Sequence, residues 1–213
     1  AVFRPGAPRP QIPDISPAAA SLSAPPAESC PAEEFAKFRK IYPDHTVVSY
    51  VNTSVGVKAL TDVCCTSTNA LKIVDSIPAD QPIIFGPDRN LGGYIKKLTG
   101  RSNMVIWDGA CDVHEKFSAE KIFALKKEYP QAKTVVHPEC PAEIVEMADY
   151  VGSTAGILDY CGKSETQEFI VVTESGIIFK HLRSVLCEHQ SKENNALKLS
   201  AFGCHSIYGR LIN

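Results

Sequence analysis

The sequence predicts an α/β protein of tandem three-layer α/β/α repeats with parallel sheets. Three observations lead there. From about residue 30, short β-branched runs alternate with amphipathic stretches; such alternation is what a parallel sheet covered by helices requires. A gapless shift of 87 residues aligns polar as well as apolar features. The chain has 213 residues, 44% of them hydrophobic, enough for one large core or two small ones.

In chain order, residues 1–29 are rich in Pro, Ala and Ser and poor in core formers. They are predicted to be a disordered leader, or the remains of a transit peptide. "PAEEFAKFRKIY" (31–42) reads as a helix and "TVVSYV" (46–51) as a strand. "TNALKIVDSI" follows as a helix, "PIIF" (82–85) as a strand, "GPDRN" as a strand-to-helix turn and "NMVIW" (103–107) as a strand. "SAEKIFALKKEY" (118–129) opens a second series, followed by "KTVV" (133–136), "AGILDYC" and "EFIVV" (168–172). The predicted repeats are 30–116 and 117–213, the latter with an atypical C-terminal segment.

The shift pairs "AE" (32–33) with "AE" (119–120), "YP" (42–43) with "YP" (129–130), and Asp62 with Asp149. It also pairs "TS" (66–67) with "ST" (153–154) and "IIFGPDRN" (83–90) with "IVVTESGI" (170–177). In open α/β sheets, ligands bind beyond the carboxyl ends of strands. There the two series carry Tyr50, Val51 and Asn52 in one and His137, Pro138 and Glu139 in the other. Ser67 and Thr154 each stand before a predicted helix, as an anion-binding hydroxyl or as an ordinary cap.

A net charge of −2 and a pI near 6.3 give no bulk attraction to nucleic acid or an anionic membrane. No apolar run approaches a membrane span, and no charged-then-apolar signal pattern opens the chain. The expected location is cytoplasmic, or plastid if the leader is a transit peptide. The eight cysteines read mostly as small buried hydrophobes, with one or two as thiolate ligands. "WDGACDVHEKF" (107–117) puts Cys111 and His114 three apart after a strand, where both could face a metal. No C-x-x-C or H-x₃₋₅-H spacing supports structural zinc. Cys64 and Cys65 are adjacent on extended chain and so face opposite ways. Arg89 reads as a guide for an anionic ligand or as a solvated surface charge. In "HPEC", Pro138 stiffens the turn, while His137 and Glu139 suit acid–base work or a hydrogen-bonded turn.

Taken together, "CPAEEF", "YPDHTVVSYVNTS", "VKALTDVCCTSTNA", "IIFGPDRNLGGYI", "WDGACDVHEKF", "VVHPEC", "ADYVGSTAGI" and "EFIVVTESGI" resemble the quinolinate synthase family over about residues 29–185. The resemblance implies three α/β/α repeats about a pseudo-threefold axis, each giving one Cys to a [4Fe–4S] cluster. It implies condensation of iminosuccinate, supplied by an L-aspartate oxidase or dehydrogenase, with dihydroxyacetone phosphate to give quinolinate. By motif, Tyr50, Glu139 and His137 would be catalytic. Tyr50, Val51, Asn52, Ser67, His137, Pro138, Glu139 and Thr154 would bind substrate, Cys111 would be a cluster ligand, and Cys140 would be structural. The same shift from Cys111 lands on Ala24 and Lys198, where the family pattern expects Cys; Cys204 is the nearby choice over Cys187. The expectation is a quinolinate synthase lacking the first repeat, incomplete or inactive. The alternative is a non-catalytic α/β module binding a dicarboxylate or phosphate.

Overall fold

The computed structural model describes residues 29–166 and 168–174, and the backbone of 198–201. The leader up to residue 28, Ala24, Cys187 and Cys204 lie outside the described residues. The first series runs α1 (Ala32–Ile41), β1 (Thr46–Tyr50), α2 (Val55–Lys58), β2 (Val63–Cys65), α3 (Ala70–Ser76), β3 (Ile83–Phe85), α4 (Arg89–Thr99) and β4 (Met104–Ile106). The second runs α5 (Asp112–Glu115), α6 (Ala119–Glu128), β5 (Lys133–Val136), α7 (Ala142–Glu146), β6 (Tyr150–Val151), α8 (Thr154–Lys163), β7 (Glu168–Val172) and β8 (Lys198–Ala201).

Two four-stranded sheets result, ordered β2-β1-β3-β4 and β6-β5-β7-β8. Every pairing is parallel. The equal order is the structural form of the sequence repeat. Its hydrogen bonds repeat too: Asp62 Oδ2 accepts the Val47 N–H at 2.8 Å. Asp149 Oδ2 accepts the Thr134 N–H at the same 2.8 Å. Both aspartates lie 15 residues beyond the strand residue they brace.

The shift does not hold throughout. Thr46 pairs with Ile83, whereas Lys133, its equivalent, pairs with Phe169, so the third strand moves by one residue. The segment between the first and third strands is thus one residue shorter in the second series, although α8 has ten residues and α3 seven, so the connecting loops take up the difference. A larger departure follows, because Lys198 opens β8 opposite Glu168. Lys198 is therefore a strand residue and not the counterpart of Cys111, which sits in a loop after β4.

Packing explains the elements. The three residues of β3 are fully buried, as a strand covered on both faces requires. Phe85 packs with Leu91 and Ile95 of α4 on one side, and Ile84 packs with Phe35 and Val57 on the other. Each such side chain contributes about 1.5–3 kcal/mol on leaving water. α4 is capped by Asp88, whose Oδ1 accepts the Leu91 N–H at 2.9 Å. It ends at Gly100, whose φ of 65° is costly for other residues. Gly92 lets α4 approach the sheet, since a Cβ there would meet Phe85 Cδ1 at 2.9 Å.

Candidate active site

β1 and β5 end side by side in function though not in surroundings. Beyond β1, Tyr50 is buried while Val51 and Asn52 face water. Beyond β5 the chain makes a tight turn, the Cys140 N–H returning to the His137 carbonyl at 3.0 Å. His137 and Glu139 thus meet across the turn that contains Pro138. His137 Nδ1 lies 3.2 Å from Glu139 Oε2. Each residue is 3% exposed.

Burial sets the charges. It pushes His137 down to about 3, with help from neighbouring His114, and pushes His114 down to about 4. It pushes Glu139 up to about 8, assisted by the charges of Asp88 and Glu174. Near neutral pH the histidines are neutral and Glu139 holds its proton, so these contacts join neutral groups and are not ion pairs.

The network then assigns the protons. His137 Nδ1 accepts, from Glu139 Oε2–H and from the Glu139 backbone N–H at 3.4 Å. Its Nε2–H therefore donates to Ser67 Oγ at 3.2 Å. The Tyr50 phenol stands beside the Ser67 hydroxyl, and burial raises it above its ordinary value. Glu139, His137 and Ser67 thus form a hydrogen-bonded row from the second sheet to the first, with Tyr50 at its end.

Cys111 stands against the same carboxyl. His114 Nδ1 lies 3.3 Å from Cys111 Sγ and 3.6 Å from Glu139 Oε2. The His114 ring stacks on His137 at 4.8 Å, and its Nε2 lies 3.4 Å from Thr173 Oγ1. Cys111, His114 and Glu139 offer ligand atoms within 4.8 Å of one another, so the group is able to hold a metal ion. Burial and the Glu139 charge raise the Cys111 thiol to about 11. Glu139 Oε1 is buried without a hydrogen-bond partner.

Other expected residues fall differently. Ser67 and Thr154 are not caps: α3 starts at Ala70, and α8 is capped by Ser153, which accepts the Gly156 N–H at 3.2 Å. Thr154 stands outside the hydrogen-bonded chain. Pro138 is buried within the turn. Cys140 is fully buried among Val136, Ile144 and Val172 and is not a member of the metal-competent group. Cys64 is exposed and Cys65 buried, as strand alternation required. Arg89 is bound to Asp108 at 2.9 Å and Glu115 at 3.0 Å, which makes it a brace between these residues.

The family model described as Quinolinate synthetase A protein matches residues 15–208. The chain belongs to the quinolinate synthetase A family. Quinolinate synthase of Trichormus variabilis is 53% identical over 167 residues, covering 78% of this chain and 50% of that protein. That of Synechocystis sp. is 55% identical over 152 residues, covering 71% and 48%. That of Thermosynechococcus vestitus is 49% identical over 172 residues, covering 81% and 52%. The chain spans about half the length of these curated relatives. No helix among the described residues is long and apolar enough to cross a membrane.

For the cluster that the family resemblance implies, the donor set is decisive. A [4Fe–4S] cluster is held by several thiolates. The metal-competent group among the described residues supplies one, Cys111, with an imidazole and a carboxyl. These residues fit one corner of a cluster and not the whole of it. Sequence reasoning had Cys111 and His114 from their spacing. It gave no role to Asp88, Asn90 or Thr173, because their partners lie far along the chain.

Proposed function

We propose that this chain carries two of the three repeats of a quinolinate synthase, with the ligand cleft at the carboxyl ends of β1 and β5. The reaction joins iminosuccinate and dihydroxyacetone phosphate, releasing phosphate and two waters to leave quinolinate. Each loss of water needs a proton delivered to the departing oxygen and another removed from the adjacent nitrogen or carbon. The observation that carries the reading is the row Glu139–His137–Ser67, in which Glu139 and His137 are buried and which leads to the buried Tyr50. A carboxyl with its affinity near neutral pH is suited to give and retake a proton. His137 passes it on by exchanging tautomers, and Tyr50 presents the far end to the cleft.

Val51 and Asn52 form the water-facing edge where substrate enters. Pro138 fixes the turn, and Ser67 and Thr154 take carboxylate or phosphate oxygens. The division into repeats at 30–116 and 117–213 belongs to the same proposal. Cys111 is the proposed cluster ligand. Cys204 is the proposed second one; it follows β8 by three residues, as Cys111 follows β4 by five. Remaining thiolates come from outside the described residues. When bound, the cluster supplies a Lewis-acidic iron. An L-aspartate oxidase or dehydrogenase supplies the iminosuccinate, and the site of action is the cytoplasm, or a plastid if residues 1–28 act as a transit peptide.

Anaerobic reconstitution with iron and sulfide tests this. The expected product holds about four irons per chain, as one such cluster does, and forms quinolinate from the two substrates. Cys111→Ser is expected to lose the iron while Cys140→Ser keeps it. Iron-free protein that forms no quinolinate overturns the reading.

A further inference from the structure

The turn "PDRN" (87–90) reads in the sequence as a connection, yet two of its polar side chains, Asp88 and Asn90, reach the site. Asp88 is fully buried. Its Oδ1 accepts the Leu91 N–H at 2.9 Å and its Oδ2 the Cys111 N–H at 2.6 Å. The Arg89 N–H donates to the Gly109 carbonyl at 2.7 Å, and its guanidinium holds Asp108 and Glu115. Asn90 Nδ2 donates to Glu115 Oε1 at 2.6 Å and to the Glu139 backbone carbonyl at 3.0 Å.

Capping alone does not explain these residues. A serine caps a helix as well as an aspartate does, without the cost of burying a carboxyl. What serine lacks is a second oxygen able to reach Cys111. A residue on the first turn of a helix needs no amide either. What Asn90 adds is a bond to the second sheet's turn.

We propose that Asp88 and Asn90 are positioning residues that set the thiol of Cys111 against the carboxyl of Glu139. Asp88 fixes the loop carrying Cys111, and Asn90 fixes the turn carrying His137, Glu139 and Cys140. One turn of the first sheet thereby registers the metal-competent thiol to the acid–base turn of the second. The inference rests on the proposed roles of Cys111 and Glu139, but its geometry can be tested apart from the reaction.

Cysteine alkylation by iodoacetamide, followed by mass spectrometry of each peptide in the full chain, is the test. Cys161, buried in α8 away from this turn, is the internal standard. Asp88→Ser keeps a cap for Leu91 and frees the Cys111 loop. It is expected to speed Cys111 alkylation about ten-fold, the size of one lost hydrogen bond to a charged group, with Cys161 unchanged. Asn90→Ala is expected to speed Cys140 alkylation more than that of Cys161. If Asp88→Ser does not fold, Asp88→Asn, which keeps one acceptor oxygen, is read in the same way. Unchanged Cys111 labelling, or an equal rise at Cys161, overturns the proposal by showing no brace or only a brace of the whole fold. Iron content and quinolinate formation are read separately, so the functional reading and the positioning role can fail independently.

Discussion

The ends of β1 and β5 occupy equivalent places in equivalent sheets, yet one is wet and the other dry. After Tyr50 the chain opens to solvent, with Val51 38% exposed. After Val136 it folds into a turn whose His137 and Glu139 are 3% exposed. The strand does not make this difference, because both strands are fed by the same order of elements. The cover makes it: the His114 ring stacks on His137, and Asn90 holds the Glu139 carbonyl. Duplication therefore supplied two similar strand ends, and residues of α4 and α5 dried one of them. Drying is what moves Glu139 into the range useful for proton transfer near neutral pH.

The largest expected effect lies in pH dependence. Glu139 is raised from 4.5 to about 8, so between those values the folded state holds a proton that the unfolded state has lost. Stability then falls as pH rises. His114 and His137 are lowered from 6.5, and act oppositely only below that value. Asp88, raised from 3.8 to about 6, acts in the same direction as Glu139 but lower on the scale. Between pH 6.5 and 8 Glu139 stands alone of these four groups. Urea unfolding there is expected to lose on the order of 1.4 kcal/mol per pH unit where the group is fully linked. Glu139→Gln, which imitates the protonated carboxyl, is expected to flatten the slope. An unchanged slope in that variant contradicts the dry-turn account.

A smaller effect tests the sameness of the two scaffolds. Asp62→Ala and Asp149→Ala remove the matching bonds to Val47 and Thr134, and each is expected to cost about 1–2 kcal/mol. Costs that differ several-fold in thermal unfolding break the equivalence. Ser67→Ala cuts the link between the sheets at the His137 ring. It is expected to cost about 1 kcal/mol, and a double-mutant cycle with Tyr50→Phe should show coupling. Additive effects would leave Tyr50 out of the chain. Smallest is the surface pair Lys97–Glu146, at 3.1 Å and largely exposed. Lys97→Met is expected to change stability by less than about 1 kcal/mol, weakening further with salt.

Much of this was legible in the sequence. The longer strands and helices stood out by period, and "KTVV" spans β5 from end to end. β6 did not, because two residues carry no pattern. Short helices such as α2 and α5 are one turn each and leave no amphipathic stripe. At the site, Tyr50, Ser67, His137 and Glu139 were legible because the repeat lined up two sets of strand-end polar residues. Asp88 and Asn90 were not, since a capping turn has the same sequence whether or not its second oxygen reaches Cys111. The shift also misled beyond β6, because the number of residues between strands is free to change between repeats while strand order is not.

The central claim is that the turn after β5 keeps Glu139 protonated near neutral pH while the corresponding chain after β1 stays in water. Carbon-13 NMR of the Glu139 carboxyl, assigned by comparison with Glu139→Gln, measures it directly. The account predicts a neutral carboxyl at neutral pH, titrating at about 8. A carboxylate titrating near its ordinary value of 4.5 would contradict it.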